Sequence, residues 1–548
     1  MTNGFEFWDY AVFIAYAILI LGVGLWVSRD KEGHEKNAED YFLASKSLPW
    51  WAIGTSLIAA NISAEQFIGM SGSGFALGLA IASYEWMAAI TLIIVGKYFL
   101  PIFIEKGLYT IPEFVEKRFS TNLKTILAVF WIALYVFVNL ASVLYLGGLA
   151  IETIMGFDMI YSVIGLALFA AAYSLYGGLS AVAWTDVIQV VFLVLGGLFT
   201  TYLALNTVSG GEGIIAGFSK VMEAAPEKFH MILDEFNSDG STNANYLNLP
   251  GIWVLIGGLW VANIYYWGFN QYIIQRTLAA KSLKESQKGI LLAAGLKIII
   301  PLIVVVPGIA AYVMVNDPAI MAGLGEAGQL SLPSTEQADK AYPWLLQFLP
   351  TGLKGVAFAA LAAAIVSSLA SMLNSTSTIF TMDIYKQYIN KNANDKTIVN
   401  VGRISAAIAL IIGVIMAPLL GGIDQAFQFI QEWTGIVSPG ILAVFILGLF
   451  WKRTTNNAAI WGALLSIPIA LLLKYIPIEV LKPWMHQMGL TAVLTMLVII
   501  IISYLQNKGK DDEKGITLSK ELFKTSPLFN IGSFVVCIVI AVLYCLFW

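Results

Sequence analysis

The sequence predicts an all-α membrane protein of fourteen transmembrane helices, and three observations carry that prediction. First, 58% of the 548 residues are hydrophobic and only 12% are charged, where a soluble globular chain carries about a quarter charged residues. Mean hydropathy is +0.77. Second, apolar stretches of the roughly 20 residues needed to span a bilayer recur along the whole chain. Third, Lys and Arg segregate to alternate loops, as the positive-inside rule requires of a multi-pass protein.

The predicted spans run 7–28, 47–71, 75–100, 125–155, 159–176, 186–208 and 249–274, then 289–315, 352–385, 399–420, 425–450, 457–475, 490–505 and 529–548. Glu6 and Asp9 open the first span instead of a basic region, so it reads as a retained span rather than a cleaved signal. With both termini outside, the inner loops receive the great majority of the 31 Lys and Arg residues. Those include Arg29, Lys31, Lys36, Lys117, Arg118, Lys124 and Arg276. Only Lys220, Lys228, Lys340, Lys354, Lys474 and Lys482 remain outside, and Lys297 falls within a span. Omitting one span would reverse every later loop and destroy this split.

The longer outer loops, 209–248 and 316–343, are polar and modestly acidic, which suits lids or small surface helices. The inner stretch 507–526 is a charged connector. Cys537 and Cys545 lie in the last span and suggest packing, not a disulfide framework or a thiolate metal site. His34, His230 and His486 fall in loops, so no imidazole relay crosses the membrane. A net charge of −4 spread over short loops implies no nucleic-acid partner. No Walker A sequence or nucleophile–base set is present, which argues against ATP hydrolysis and against an enzyme. The pair Gly177 and Gly178 sits at a span end and needs no nucleotide to explain it.

The chemistry concentrates where polar residues interrupt apolar spans. Residues 57–70 read Leu-Ile-Ala-Ala-Asn-Ile-Ser-Ala-Glu-Gln-Phe-Ile-Gly-Met, with Asn61, Ser63, Glu65 and Gln66 near mid-depth. Lipid cannot satisfy freed backbone groups, so such a stretch must face protein or a wet cavity. It reads as a discontinuous helix whose carbonyls bind a cation. A second polar run within 352–381 places Ser367 beside Ser368, next to small residues 362–364. Two hydroxyls facing carbonyls at 59–62, with no obligatory carboxylate, suit Na⁺; the same pair of serines also suits close helix packing.

Lys297 lies about 18 Å along its span and Glu85 about 15 Å along its own, both near the midplane. An ionised side chain there costs about 2.5 to 3.5 kcal/mol on the insertion scale. Meeting in one cavity would lower that cost for each. Gln66, Asn263 and Gln431 add amides, which donate and accept together and so match a neutral polyhydroxylated solute, although buried amides also join helices. Tyr84, Tyr266, Trp267 and Phe427 flank them, with faces suited to the C–H side of a sugar ring. Tyr266, three residues inward of Asn263, would plug the inner path. Asp186, in Asp-x-x-Gln at the inner start of the sixth span, either caps a helix or stands on the ion's inner exit.

The runs 59–67, 177–189, 270–276 and 362–386 resemble the sodium:solute symporter family, and the likeness extends over essentially the whole chain. It implies a LeuT-like core of two inverted five-helix repeats, with two discontinuous helices, one from each half. By that resemblance 1–46 is a leading helix and inner loop, 47–208 the first repeat and 209–248 an outer loop. The second repeat is 249–450, and 451–548 forms three peripheral helices. The resemblance further implies Na⁺ as coupling ion, held by the carbonyls of Ala59, Ile62 and Ala364 and the hydroxyls of Ser367 and Ser368, with no organic cofactor. A monosaccharide of the galactose or glucose type would meet Gln66, Glu85, Asn263, Lys297 and Gln431. Tyr266 would be the inner gate, and Met70, Tyr84 and Phe427 the outer cover. Ala88 departs from this pattern, where a serine contact to sugar is expected. The implied activity is Na⁺-driven uptake across a bacterial inner membrane; the alternative is Na⁺ symport of an amino acid, sialic acid or vitamin.

Overall fold

The computed structural model describes residues 5–27, 29, 37–108, 110–237, 239–329, 331–421 and 425–548. Among them the regular structure is helical, with two isolated bridges and no strand. Lys31, His34 and Lys36 lie outside the described residues.

The first helix, α1 (Phe7–Val27), is followed by an interrupted pair, α2 (Trp50–Asn61) and α3 (Ser71–Leu77). Next come α4 (Ser83–Ile94), α5 (Thr121–Ala133), α6 (Ala141–Met155) and α7 (Met159–Val208). A second interrupted pair, α8 (Gly258–Ile264) and α9 (Gln271–Leu278), leads to α10 (Leu283–Asn316) and α11 (Leu353–Ile379). The chain continues through α12 (Asp395–Met416), α13 (Ala426–Phe450), α14 (Asn456–Tyr475), α15 (Trp484–Asn507) and α16 (Pro527–Leu546).

Among the described residues, eleven helices are long and apolar enough to cross a membrane. The three remaining predicted spans, 47–71, 159–176 and 249–274, are assembled differently. Two are the interrupted pairs. The third abuts its successor: α7 is two helices that meet at a sharp kink at Gly178, where φ is +63° and ψ −155°, and the part after the kink is the one long enough to count among the eleven. A Cβ there would stand 2.4 Å from the Tyr41 carbonyl oxygen, so glycine is required twice over. The inner loop expected at 177–185 is therefore helical. Its Ser-Ala-Val-Ala-Trp-Thr run contains no Gly, Pro, Asn or Asp, and Thr185 bonds back to the Ala181 carbonyl at 2.9 Å.

Polar caps mark where helices start. Ser120, Ser282, Asn394, Thr455 and Ser526 each accept from a main-chain N–H in the first turn of the helix that follows, which satisfies donors that otherwise have no intrahelical partner. The loops 209–248 and 316–343 hold the expected small helices, Ile214–Ala224 and Pro318–Gln329.

Several cations assigned to inner loops are buried. Arg118 is one: its guanidinium reaches the carbonyls of Gly448 at 3.0 Å and Thr454 at 2.9 Å, and Asp512 at 3.2 Å. It thereby fastens the charged connector to the end of α13. Lys124 pairs with Glu116 at 2.6 Å. Burial is tolerated because each charge finds a partner.

Long contacts between α7 and α11, and of α10 with α2, α3 and α4, make a central bundle. The helices α14, α15 and α16 lie at its side, with many apolar side chains exposed as hydrocarbon-facing surface.

Candidate functional site

The first interruption is local and has an identifiable cause. Helix α2 ends at Asn61, and Ile62 adopts φ −79°, ψ 101°. Ser63 then turns its N–H to Gln66 Oε1 at 3.0 Å instead of continuing the ladder to Ala59, and its hydroxyl donates to the same oxygen at 3.1 Å. Ser63 Oγ also accepts from the N–H of Glu65 at 3.0 Å. A π-helical turn, Glu65–Met70, restarts the helix toward α3. Short polar side chains compete with the backbone in this way, and the result leaves main-chain carbonyls near residues 59–62 outside regular helix.

Helix α11 packs against this break and is itself unbroken from Leu353 to Ile379. The second polar run is thus straight. The second interruption falls instead at 265–270, between α8 and α9, where Asn270 is extended at φ −83°, ψ 119°. Ala59, Ile62, Ala364, Ser367 and Ser368 are all fully buried, and neither serine faces lipid. Ser368 Oγ donates to the Ala60 carbonyl at 3.1 Å, and Ser367 Oγ to Asp186 Oδ1 at 2.5 Å.

Asp186 lies inside α7 and caps no helix. Besides Ser367 it accepts from Ser56 Oγ at 2.5 Å and pairs with Arg276 at 3.3 Å. Arg276, expected on an inner loop, is 1% exposed. Its Nε donates to Ser56 Oγ at 2.6 Å, and its other nitrogens reach Ser371 and the Tyr272 carbonyl. The residue missed at this place is therefore Arg276; its signal was a cation two residues past the aromatic-rich stretch 265–274, which charge counting alone consigns to a loop.

Beside the break lies one cavity, lined by all of Gln66, Glu85, Asn263, Lys297 and Gln431, and by all of Met70, Tyr84, Tyr266, Trp267 and Phe427. These residues come from α3's approach, α4, the second broken segment, α10 and α13, so distant stretches of sequence converge on one space. Ala88 lines it too, one turn from Glu85 and offering no hydroxyl. Lys297 and Glu85 form an ion pair, both almost fully buried. Pro301, four residues beyond Lys297, has no N–H and so leaves the Lys297 carbonyl without its helical donor.

Asn61 joins the two halves of the site. Its Oδ1 accepts from the Lys297 ammonium, and its Nδ2 donates to the Tyr266 hydroxyl at 3.0 Å. Tyr272 OH donates to the same Tyr266 oxygen at 2.8 Å. The Lys297 ammonium also stands 5.1 Å from the Trp267 ring centre. Tyr84 and Phe427 meet edge to face, centroids 5.0 Å apart, across the cavity's other end. Asn61 was visible as a polar residue in the broken stretch, but nothing in the sequence placed it against both Lys297 and Tyr266.

Such a site offers amide, carboxylate, ammonium and phenol groups around an enclosed space walled by aromatic rings. It has the donors and acceptors to hold a small polar solute, and no nucleophile–base pair within it points to bond making or breaking.

Comparison with known proteins agrees. The chain is 66% identical, over all of its length and 99% of the relative's, to a Vibrio parahaemolyticus protein named sodium/glucose cotransporter. It is 32% identical to human sodium/myo-inositol cotransporter 2, with 91% of this chain and 76% of the human protein aligned. Its fold matches that of a Na⁺-coupled sialic acid symporter solved in a substrate-bound, outward-open state, at TM-score 0.78 and 24% identity, covering 91% of this chain and 98% of that one. The family model for the sodium:solute symporters matches residues 41–466. A multi-pass helical bundle with a broken helix beside a polar, ring-walled cavity is thus placed among its relatives: the chain belongs to the sodium:solute symporter family.

Proposed function

We propose that this protein is a secondary active symporter that couples inward Na⁺ flow to uptake of a monosaccharide of the galactose or glucose type by alternating access. One observation carries the reading: the ten side chains picked out for solute binding and gating line a single cavity, next to a helix break packed on the serine-bearing α11.

In this reading Na⁺ sits between the carbonyls of Ala59, Ile62 and Ala364 and the hydroxyls of Ser367 and Ser368. A serine hydroxyl that donates its proton to a neighbour keeps lone pairs for a cation, so the bond from Ser367 to Asp186 is compatible with ligation. Asp186 then receives the ion on its way inward, its charge tempered by Arg276. Bound Na⁺ stabilises the break against α11, which fixes Gln66 and Asn61 at the edge of the cavity. Sugar hydroxyls exchange hydrogen bonds with Gln66, Glu85, Asn263, Lys297 and Gln431. Tyr266, held by Asn61 and Tyr272, closes the inner side with Trp267, and Met70, Tyr84 and Phe427 cover the outer side.

The neutral character of the solute follows from charge pairing. The Lys297 ammonium is already matched by Glu85, so an amino-acid or sialic-acid carboxylate would find no unpaired cation among the described cavity residues. The two human and Vibrio relatives carry names of neutral polyols, which supports the same class. Ala88 removes one hydroxyl contact and leaves the choice of epimer to the other residues.

We assign the same topology as the sequence suggests: fourteen spans with both termini outside, two inverted five-helix repeats at 47–208 and 249–450, and three peripheral helices in 451–548. The two interrupted pairs, one in each proposed repeat, support this arrangement. Uptake into proteoliposomes under an imposed Na⁺ gradient, across a panel of monosaccharides, inositols, amino acids, sialic acid and vitamins, tests the reading. Na⁺-dependent accumulation of a hexose supports it; accumulation only of a charged solute rejects it.

A further inference from the structure

Outside the cavity, at the N-terminal end of the helix that carries Ser367 and Ser368, stands a second buried carboxylate. Asp9 is 0% exposed although it lies in the first turn of α1. Its Oδ1 accepts from the main-chain N–H of Gly352 at 2.7 Å and of Gly355 at 2.9 Å, and its Oδ2 from that of Glu6 at 3.1 Å. The first two donors belong to the opening turn of α11, where N–H groups have no intrahelical partner. A carboxylate there also meets the positive end of the helix dipole.

The α11 side is shaped for this contact. Gly352 holds φ +84°, and a Cβ on Gly355 would stand 2.6 Å from the Asp9 carbonyl oxygen. Thr351 Oγ1 donates to Glu6 at 2.8 Å, and Phe358 takes the rings of Phe5 and Phe13 at 5.0 and 5.1 Å. On its other side α1 meets α7, with Tyr16 and Phe192 centroids 5.0 Å apart. Helix α1 therefore straps the first turn of α11 to α7, while the Ser367–Asp186 bond ties the same two helices at the middle of α11. Apolar packing alone would need neither a buried carboxylate nor two bare glycines.

We propose that Asp9 is a positioning residue for the Na⁺ site, fixing the axial place of α11 against α7 and so where Ser367 and Ser368 stand opposite the broken helix. The inference rests on the reading of those serines as Na⁺ ligands. Helix α11 is continuous from Leu353 to Ile379, so a shift at its first turn travels along its axis the roughly 21 Å to Ser367. Asp9 lines no part of the solute cavity. Its effect is thus expected on ion affinity and not on sugar contacts.

The test uses the full-length protein in proteoliposomes. Asp9→Asn, Asp9→Ala and, from the α11 side, Gly355→Ala are compared for half-saturating Na⁺, for sugar KM at saturating Na⁺ and for thermal unfolding midpoint. Asn keeps one acceptor oxygen without the charge, so it preserves the test if the alanine variant does not fold. Half-saturating Na⁺ is expected to rise about threefold in Asp9→Asn and about tenfold in Asp9→Ala and Gly355→Ala, with sugar KM at saturating Na⁺ within about twofold of the parent. Unchanged Na⁺ dependence in all three overturns the proposal. So does a parallel rise in both constants with a lowered unfolding midpoint, the mark of a purely structural strap. Failure of the underlying reading shows separately, as a Ser367→Ala, Ser368→Ala variant that keeps the parent's Na⁺ dependence.

Discussion

The hydroxyl of Ser368 donates to the main-chain carbonyl of Ala60 at 3.1 Å, across the gap between α11 and the end of α2. One hydrogen bond thus touches both walls of the proposed ion site. In the proposed ion-bound state that hydroxyl oxygen and its neighbouring carbonyls would supply the oxygen ligands of a monovalent cation.

Removing both hydroxyls, with Ser367→Ala and Ser368→Ala, leaves the fold's apolar packing largely in place because each change deletes a single oxygen. Half-saturating Na⁺ for uptake is expected to rise by at least about a hundredfold, from the loss of two ligands worth roughly a hydrogen bond to charge each. Proteoliposome uptake against Na⁺ concentration reads this directly. A curve superimposable on the parent's would remove these serines from the site.

The Lys297–Glu85 pair makes a sharper energetic prediction. Lys297→Met strands a buried carboxylate and is expected to cost roughly 3 to 5 kcal/mol of stability, whereas Lys297→Met with Glu85→Gln costs less than the single change. Thermal unfolding of the four proteins in a double-mutant cycle checks this. Strictly additive losses would mean that the two groups do not interact.

Tyr266→Phe keeps the ring but deletes the oxygen that Asn61 and Tyr272 both address. Stability is expected to fall by about 1 kcal/mol, and efflux of preloaded sugar to quicken, because the inner plug loses its tether. Efflux no faster than the parent's, in a folded variant, contradicts the gating role.

In the 209–248 loop, Lys228 donates to the Ala76 carbonyl at 2.7 Å and lies 4.2 Å from the Tyr312 ring centre. Burial pushes its ammonium down to about 8, with neighbouring Glu227 opposing the shift. The sign follows from proton counting. Between about 8 and the ordinary lysine value near 10.4 the unfolded loop binds more protons than the docked one, so docking strengthens as pH rises through that window and weakens as pH falls through 8. The full effect is on the order of 3 kcal/mol. Hydrogen exchange of residues 226–231 at pH 7 and pH 10, corrected for intrinsic rates, should show greater protection at the higher pH, and Lys228→Met should flatten the difference. Equal protection in the parent refutes it.

Much of this site was legible because hydrocarbon makes polar residues conspicuous. Asn61, Ser63, Glu65 and Gln66 stand out within an apolar stretch, and depth arithmetic alone brought Lys297 and Glu85 to one level. The structure adds what periodicity and charge counting do not encode. Arg276 follows an aromatic-rich stretch and reads as an inner-loop cation, yet three elements fold around it to give it Asp186, Ser56 and Ser371 as partners. The second interruption, at 265–270, was hidden because Tyr-Tyr-Trp-Gly-Phe carries no polar signal before Asn270. Gly178 does mark the end of a span, but its non-helical φ and ψ join two helices directly, so the next begins at once where a loop was expected. Asp9 looked like a flanking acid because two of its three donors are main-chain N–H groups more than 340 residues away.

The most direct test of the central claim is equilibrium Na⁺ binding to the purified protein with and without saturating hexose. Coupling through the broken helix requires that sugar tighten Na⁺ binding by the same factor by which Na⁺ tightens sugar binding, a factor of roughly 5 to 150 for typical coupling energies. Equal and reciprocal factors above unity in the parent, collapsing toward one in the Ser367→Ala, Ser368→Ala variant, are the predicted result. Na⁺ affinity indifferent to sugar would contradict the account.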